Sequence, residues 1–200
     1  MKHITILLIS TFLISCNQNV QTQVDNMPKS KSIYATELID QEFLKYADNL
    51  KIDSLTVQLI NSFDIYDENN FKITHIDAEE LVEFSFDFFI PNLNRLLDKR
   101  QFNLTGKKLN SDDNSFDIII NQDTIQLYSQ SDLDNNFFWD TAPRNFFKKV
   151  NELLKAKNIS EQFYLLYGGN DLHTLLLTDK QFSIISEYYK NNDKEKPYIP

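Results

Sequence analysis

Hydrophobic and polar residues recur along the chain with two periods, and each period predicts one kind of element. Residues 33–50 and 55–63 place apolar side chains at helical spacing, which predicts an N-terminal helical part. Residues 71–76 alternate between apolar and polar, as in a short strand. The domain is therefore expected to begin with helices and to reach its first strand near residue 71.

Two later pairs of alternating segments predict β-hairpins. Residues 116–120 and 124–128 flank a short polar turn, and residues 162–167 and 171–177 flank Gly168-Gly169-Asn170. The second turn is the clearer signal, because glycine and asparagine tolerate positive φ. We expect the two hairpins to merge into one antiparallel sheet of four to five strands, with helices packed on one face.

Between residues 77 and 100 the apolar residues fit both the alternation of a strand and the spacing of a helix. Asp77 followed by Glu80 resembles the start of a capping box, and the length of the apolar stripe favours a helix. We therefore predict one long helix with a kink near Pro91. The alternative is a strand that ends near Ile90, followed by a helix with Pro91 in its first turn.

Two further helices have recognisable starts. Asp140 is a predicted N-cap with Pro143 in the first turn, and Thr178 with Gln181 begins the last helix. Helices therefore alternate with hairpins after the N-terminal helical part. This order predicts an α+β fold.

The first fifteen residues have the layout of a secretory leader. Lys2 is followed by an apolar run that is shorter than the roughly 20 residues needed to span a bilayer. The run ends in Leu13-Ile14-Ser15-Cys16, which resembles the lipobox of bacterial lipoproteins: a branched apolar residue, a tolerant position, a small residue and a cysteine. The resemblance implies cleavage before Cys16 and a diacylglyceryl thioether on its sulfur.

The leader divides the chain into three parts. Residues 1–15 are the predicted signal peptide, residues 16–32 a flexible polar tether, and residues 33–200 a single α+β domain. Cys16 is the only cysteine, so no disulfide forms within the chain, and two or three acyl chains would attach it stably to a membrane. Asn17 stands where an aspartate would favour retention in the inner membrane. We therefore expect a lipid-anchored protein of the cell envelope, with the outer membrane favoured.

Charge and glycine content exclude several functions. Without the leader, the chain has 19 basic and 29 acidic side chains, which gives a net charge of −10 at neutral pH. We therefore expect no nucleic-acid partner, and a basic protein is the favoured partner. The three glycines are too few and too scattered for a Walker loop or a dinucleotide-binding turn, so no cofactor is expected.

No pattern marks a catalytic or metal-binding group. His75 and His173 have no second histidine at metal-ligand spacing, so no metal site is predicted. Each has an aspartate two residues away, an arrangement that orients an imidazole in some sites but is also common by chance. No pair of carboxylates is singled out by an apolar environment, and no Gly-x-Ser-x-Gly elbow occurs.

Aromatic and acidic residues concentrate before one helix, at residues 137–140, and around the glycine turn of the second hairpin. Together they predict a recognition surface for a basic protein. The alternative is that the aromatic residues 137–139 close the core over the sheet. The candidate partner-binding residues are Trp139, Asp140, Tyr167, Asp171 and His173.

Two functions of different classes fit this sequence. The preferred hypothesis is a membrane-anchored, non-catalytic binding module. In size, location and acidity it resembles the exported immunity proteins that neutralise toxins delivered by neighbouring cells. The alternative is an envelope hydrolase that acts on glycan or peptidoglycan through paired carboxylates. An accessory subunit of an outer-membrane assembly differs from the binding module only in its partner.

Overall fold

Helices alternate with short antiparallel strands along the chain. The computed structural model describes residues 29–109 and 116–200, so the leader, Cys16 and most of the predicted tether lie outside the described residues. Within the described part the α+β class is confirmed, and no helix there is both long and apolar enough to cross a membrane. The elements are α1 (Lys31–Asp40), α2 (Ile52–Ser62), β1 (Ile73–His75), α3 (Ala78–Val82), α4 (Phe86–Leu97), β2 (Gly106–Lys108), β3 (Asp117–Ile120), β4 (Asp123–Gln126), α5 (Gln130–Asp134), α6 (Phe138–Ala156), β5 (Glu161–Leu166), β6 (His173–Thr178) and α7 (Asp179–Tyr188).

The central antiparallel sheet has the strand order β1-β6-β5, and both of its faces are buried. Phe163 and Leu165 of β5 enter a first core, formed with α3, α4 and α6. Tyr164 and Leu166 enter a second core, formed with α1, α2 and α7. The prediction of helices on one face is therefore wrong. Unbroken apolar runs such as Leu175–Leu177 are typical of strands that are covered on both faces.

Both predicted hairpins are present, but they belong to different sheets. β3 and β4 pair with each other and with β2 in a second sheet of order β2-β3-β4. β1 occupies the outer edge of β6, and the outer edge of β5 is bridged by Tyr198, whose N–H and C=O each bond to Leu165 at 2.8 Å. Because both edges of the β5–β6 hairpin are occupied, the predicted single sheet of four to five strands does not form among the described residues.

Residues 77–100 are largely helical, but the break lies at an unexpected position. Phe84 adopts a left-handed φ of 62° and separates α3 from α4, whereas Pro91 lies inside α4. The single helix kinked at Pro91 and the alternative strand are therefore both wrong. The ring of Phe84 stacks on Tyr128 with centres 6.0 Å apart, so a contact with a distant segment accompanies the break.

One predicted helix start is present and the other is displaced. Thr178 and Gln181 form a capping box at the start of α7. α6 begins at Phe138, before the predicted cap Asp140. The carboxylate of Asp140 instead pairs with Arg144, one turn later, at 2.8 Å.

A buried carboxylate, Glu161 at the start of β5, joins several layers of the fold. Arg100, which follows α4, donates from Nε and Nη2 to its two oxygens at 2.7 and 2.8 Å. Lys72, which precedes β1, donates to the same carboxylate and also, at 3.3 Å, to Gln181 of α7. The Arg100 guanidinium lies 3.9 Å from the ring centre of Tyr46. All three charged side chains are buried, so each depends on its partners to offset the loss of hydration.

The triad of Glu161, Arg100 and Lys72 has one positive charge in excess, and Lys72 is the member that yields its proton most readily. Burial, reinforced by the charge of Arg100, lowers the pKa of Lys72 to about 8, although Glu161 acts in the opposite direction. For Glu161, burial alone would raise the pKa, but the bonds and charges of Arg100 and Lys72 outweigh it and lower the pKa. Loss of the Lys72 proton leaves a neutral pair of Glu161 and Arg100.

Raising the pH is expected to stabilise the fold through Lys72. Between the folded-state pKa of about 8 and the unfolded-state value of 10.5, the unfolded chain binds more protons at this lysine than the folded chain does. The contribution of Lys72 to the free energy of unfolding should therefore rise with pH, by about 2 kcal/mol from pH 7 to pH 10 for a shift of this size. Tyrosines with a raised pKa, such as Tyr66 and Tyr164, act in the opposite direction near pH 10, so this contribution is the difference between the wild type and a variant without the lysine. Urea denaturation at a series of pH values measures this pH dependence of the unfolding free energy.

Lys72→Met is the informative variant, because a neutral side chain leaves Arg100 paired with Glu161 and removes the titrating group. The difference in unfolding free energy between the wild type and this variant should therefore grow by about 2 kcal/mol from pH 7 to pH 10. Lys180→Met, at an exposed lysine of α7, should keep the pH dependence of the wild type. Equal pH dependence in the wild type and in the Lys72 variant would contradict the assignment.

Candidate functional site

Three of the five predicted partner-binding residues line one cleft. The cleft holds about 550 Å³ and lies between the β5–β6 turn and the C-terminal segment, residues 193–200. Tyr167 and Asp171 come from the turn, and His173 is the first residue of β6. Charged residues of the C-terminal segment form the opposite wall: Asp193, Lys194, Glu195 and Lys196.

The other two predicted residues, Trp139 and Asp140, line a smaller groove. The groove holds about 150 Å³. Gly168 and Tyr198 line both depressions, so the groove adjoins the cleft. The structure thus places all five predicted residues around one surface, the lining of the cleft and the groove, which we call the turn surface.

Tyr167 shapes the turn between β5 and β6. Its φ is 60°, a left-handed conformation that is uncommon for a bulky residue and is shared here by Gly169. Two hydrogen bonds hold it in place: its carbonyl accepts from the Tyr198 hydroxyl at 2.8 Å, and its own hydroxyl donates to Glu195 at 2.6 Å. Both bonds connect the turn to the C-terminal segment, so the strained residue is held at its backbone and at its side chain.

Glu195 fastens the C-terminal segment to the rest of the fold. Its Oε2 accepts hydrogen bonds from the hydroxyls of Tyr167 and Tyr66, at 2.6 and 2.5 Å. These bonds, that of Tyr167 foremost, hold the pKa of Glu195 below its usual value, although burial acts in the opposite direction. Burial and the bond to Glu195 raise the pKa of Tyr66. At neutral pH the carboxylate is therefore charged and both phenols keep their protons.

Tyr198 is the second attachment point of the C-terminal segment. Besides its backbone bridge to β5, its ring lies 4.8 Å from the Arg144 guanidinium. Arg144 also donates to the carbonyl of Ile199 at 3.1 Å and pairs with Asp140. The wall of the cleft is therefore held at two points, and part of the Asp140 charge is neutralised within the fold.

The aromatic residues 137–139 divide between the core and the surface. Phe138 and Trp139 pack against the first core, with ring centres 4.8 Å apart. Trp139 also lines the groove, so part of its indole remains accessible. Phe137 is 63% exposed and is a surface residue that the predicted set lacks.

The structure also brings together two histidines that the sequence separates. His75 of β1 lies directly opposite His173 of β6, with ring centres 5.0 Å apart. One nitrogen of each ring contacts a backbone carbonyl: His75 Nε2 lies 2.7 Å from the oxygen of Asn170, and His173 Nδ1 lies 2.8 Å from that of Asp171. Sequence analysis placed each histidine in or beside a strand but missed the pair, because no local pattern shows that β1 pairs with β6.

Three carboxyls of the described residues have a shifted pKa. A glycosidase-like pair needs one carboxyl with a raised pKa. Among the described carboxyls, those whose pKa departs clearly from its usual value are Asp132, Glu161 and Glu195, and in all three the pKa is lowered. Residues 29–109 and 116–200 also contain no cluster of three or more side chains suited to holding a metal ion.

In comparisons with protein-family models, curated proteins and solved structures, the chain has no match. Its function is therefore inferred from its own residues. Those of the turn surface and of the leader carry the most information.

Removing the charge of Glu195 is expected to release the C-terminal segment. A hydrogen bond to a charged acceptor contributes about 1.5–3 kcal/mol, and the contribution here is at the low end because Glu195 is partly exposed. Glu195→Gln should therefore raise the hydrogen-exchange rates of the two hydrogen-bonded amides of the segment, those of Glu195 or its replacement and of Tyr198, by roughly 10-fold, which corresponds to about 1.4 kcal/mol. Asp193→Asn, at an exposed carboxylate of the same segment, should leave these rates unchanged. Equal increases in both variants would show that the tyrosine bonds do not hold the segment.

Proposed function

We propose that this chain is a lipid-anchored binding module without chemistry of its own, and that the turn surface is its binding site. The main support is the arrangement of the five residues predicted from sequence: three line the cleft and two line the adjoining groove. The opposite wall of the cleft is held at two points, by Glu195 and by Tyr198. Tyrosine and tryptophan are enriched in protein-binding hot spots. A wall that is already ordered also lowers the entropy cost of binding.

A basic protein is the favoured partner. Asp171, Asp193 and Glu195 bring three negative charges to the cleft against the two lysines of the C-terminal segment. The chain as a whole is acidic, with a net charge of −9 before removal of the leader. Complementary charge speeds encounter and selects among partners, whereas a nucleic acid would be repelled.

The lipobox-like sequence supports attachment to a membrane through lipid on Cys16. Because α1 begins at Lys31, the flexible tether would comprise residues 16–30 in place of the predicted 16–32, with an end-to-end distance of roughly 19–23 Å for a chain of that length. The domain would stay close to an envelope membrane, and Asn17 favours the outer one. Any partner must therefore reach or cross the cell envelope.

Within the binding class, we prefer an immunity-type protein that neutralises a toxin. Such a protein needs export and a complementary binding surface but no catalytic centre. An accessory subunit of an outer-membrane assembly would use the same surface for a different partner. The hydrolase alternative needs a cleft carboxyl with a raised pKa, and the lowered pKa of Glu195 gives it no support.

The anchor is tested at Cys16. The full-length chain, expressed in a bacterial host, should be recovered in the membrane fraction with a mass that reflects loss of residues 1–15 and addition of lipid. Cys16→Ser should abolish lipid addition, because no thiol remains to form the thioether, and Asn17→Ser should retain it. Recovery of an unacylated wild-type chain with residues 1–15 intact would remove the anchor from the proposal.

The turn surface is tested by reversing the charge of Asp171, an exposed residue. The assay is survival of producing cells in co-culture with bacteria that deliver a toxin encoded near this gene. Asp171→Lys and Trp139→Ala should each reduce survival, because loss of a hot-spot side chain typically costs about 2 kcal/mol or more, which weakens binding of the toxin by roughly 30-fold.

Asp53→Lys makes the same charge change on α2, outside the turn surface, and should leave survival unchanged. Thermal unfolding of each purified variant separates loss of binding from loss of folding. If the wild type protects against none of the toxins, the immunity hypothesis is wrong. If the Asp53 variant loses protection as fully as the Asp171 variant, the binding site lies elsewhere.

A further inference from the structure

We propose that His75 and His173 form a binding site for a divalent transition-metal ion of the class Cu²⁺, Ni²⁺ or Zn²⁺. Imidazole nitrogen is a ligand that these ions share in proteins. The site depends on the pairing of β1 with β6. It does not require the binding function proposed above, although it shares His173 with the turn surface.

The strand register places the two histidines at the closer kind of cross-strand position. The next pair along, Ile76 and Leu172, is joined by a backbone hydrogen bond of 2.8 Å. Hydrogen-bonded and non-hydrogen-bonded pairs alternate in an antiparallel ladder, so His75 and His173 are a non-hydrogen-bonded pair. In such pairs the Cα atoms are about 4.5 Å apart, and both side chains leave the sheet on the same face.

The ring nitrogens of the pair already have distinct roles. A carbonyl oxygen only accepts, so His75 Nε2 and His173 Nδ1, which contact the carbonyls of Asn170 and Asp171, carry the protons. In neutral rings the lone pairs are then on Nδ1 of His75 and Nε2 of His173. Neither of these two nitrogens has a hydrogen-bond partner within the described part of the chain. A bond from the opposite nitrogen to a carbonyl is the usual way in which metal-binding histidines are oriented.

The separation of the rings fits a shared ion. Two imidazoles that bind one ion at about 2.0–2.1 Å have ring centres roughly 4.5–5.5 Å apart, and the centres of His75 and His173 are 5.0 Å apart. His75 is exposed, so small rotations of its ring meet little resistance. The described residues supply no third metal ligand to this pair, so water or a group from a partner would complete the coordination. Since His173 also lines the cleft, that open position would lie at the edge of the turn surface.

Binding is measured on the full-length chain in mild detergent, with His3→Asn in every sample. The sequence has three histidines, so this substitution leaves His75 and His173 as the only two. Titration with Cu²⁺, Ni²⁺ and Zn²⁺ separately, at a pH above about 7 where imidazole is neutral, should give one bound ion per chain for at least one of the three metals. The Cu²⁺ complex should show coupling to two nitrogen nuclei in its electron paramagnetic resonance spectrum.

His75→Asn and His173→Asn should each weaken binding by at least about 10-fold, because loss of a mere second-shell partner already costs roughly 10–100-fold. Each should also reduce the nitrogen coupling to one nucleus. Asp193→Asn, at a carboxylate of the cleft, should bind as the parent does. Circular dichroism and thermal unfolding of the ion-free chains establish that every variant is folded.

Three results would overturn the site. The first is the absence of binding at metal concentrations up to about 1 mM. The second is equal binding by the parent and either histidine variant. The third is a loss of binding in Asp193→Asn equal to that in the histidine variants, which would place the ion among the carboxylates of the cleft.

Discussion

The packing of the helices on the central sheet depends on the interactions of one buried carboxylate, that of Glu161. Arg100 reaches it from the end of α4 and Lys72 from the start of β1, while Gln181 connects α7 to the same network. Removing one partner of a buried ion pair typically costs about 3–5 kcal/mol, which is a large share of a stability of about 5–15 kcal/mol. The network sets the position of β5, and the residues at the far end of β5 depend on that position.

The turn surface lies at this far end. β5 is buried on both faces, so packing on both sides fixes the position of its last residues. The left-handed Tyr167 then redirects the chain, and the bonds of Glu195 and Tyr198 hold the opposite wall of the cleft. Functional residues carried on a turn between rigid elements are a common arrangement in binding proteins. The rigidity of the central sheet and the binding role proposed for the cleft are therefore physically linked.

Much of the secondary structure and part of the candidate site were predictable from short-range patterns. The hairpin around Gly169 and the capping box at Thr178 each depend on residues a few positions apart. The left-handed break at Phe84 was not predictable, since its ring packs on Tyr128 from a distant segment. Glu195 was missed for the same reason. Its sequence neighbourhood is an ordinary charged tail, and its role comes from two tyrosines that only the fold brings to it.

By itself the sequence determined the α+β class, the two hairpins and the expectation of a lipid-anchored leader, because apolar periods, turn residues and leader motifs act within one segment. Only the tertiary structure decided which strands are neighbours. β1 lies beside β6, and Tyr198 lies beside β5 in place of the other hairpin. The same choice set His75 opposite His173. Many strand pairings satisfy the same local patterns, and the one that forms is selected by packing both faces of the sheet at once, which no single segment encodes.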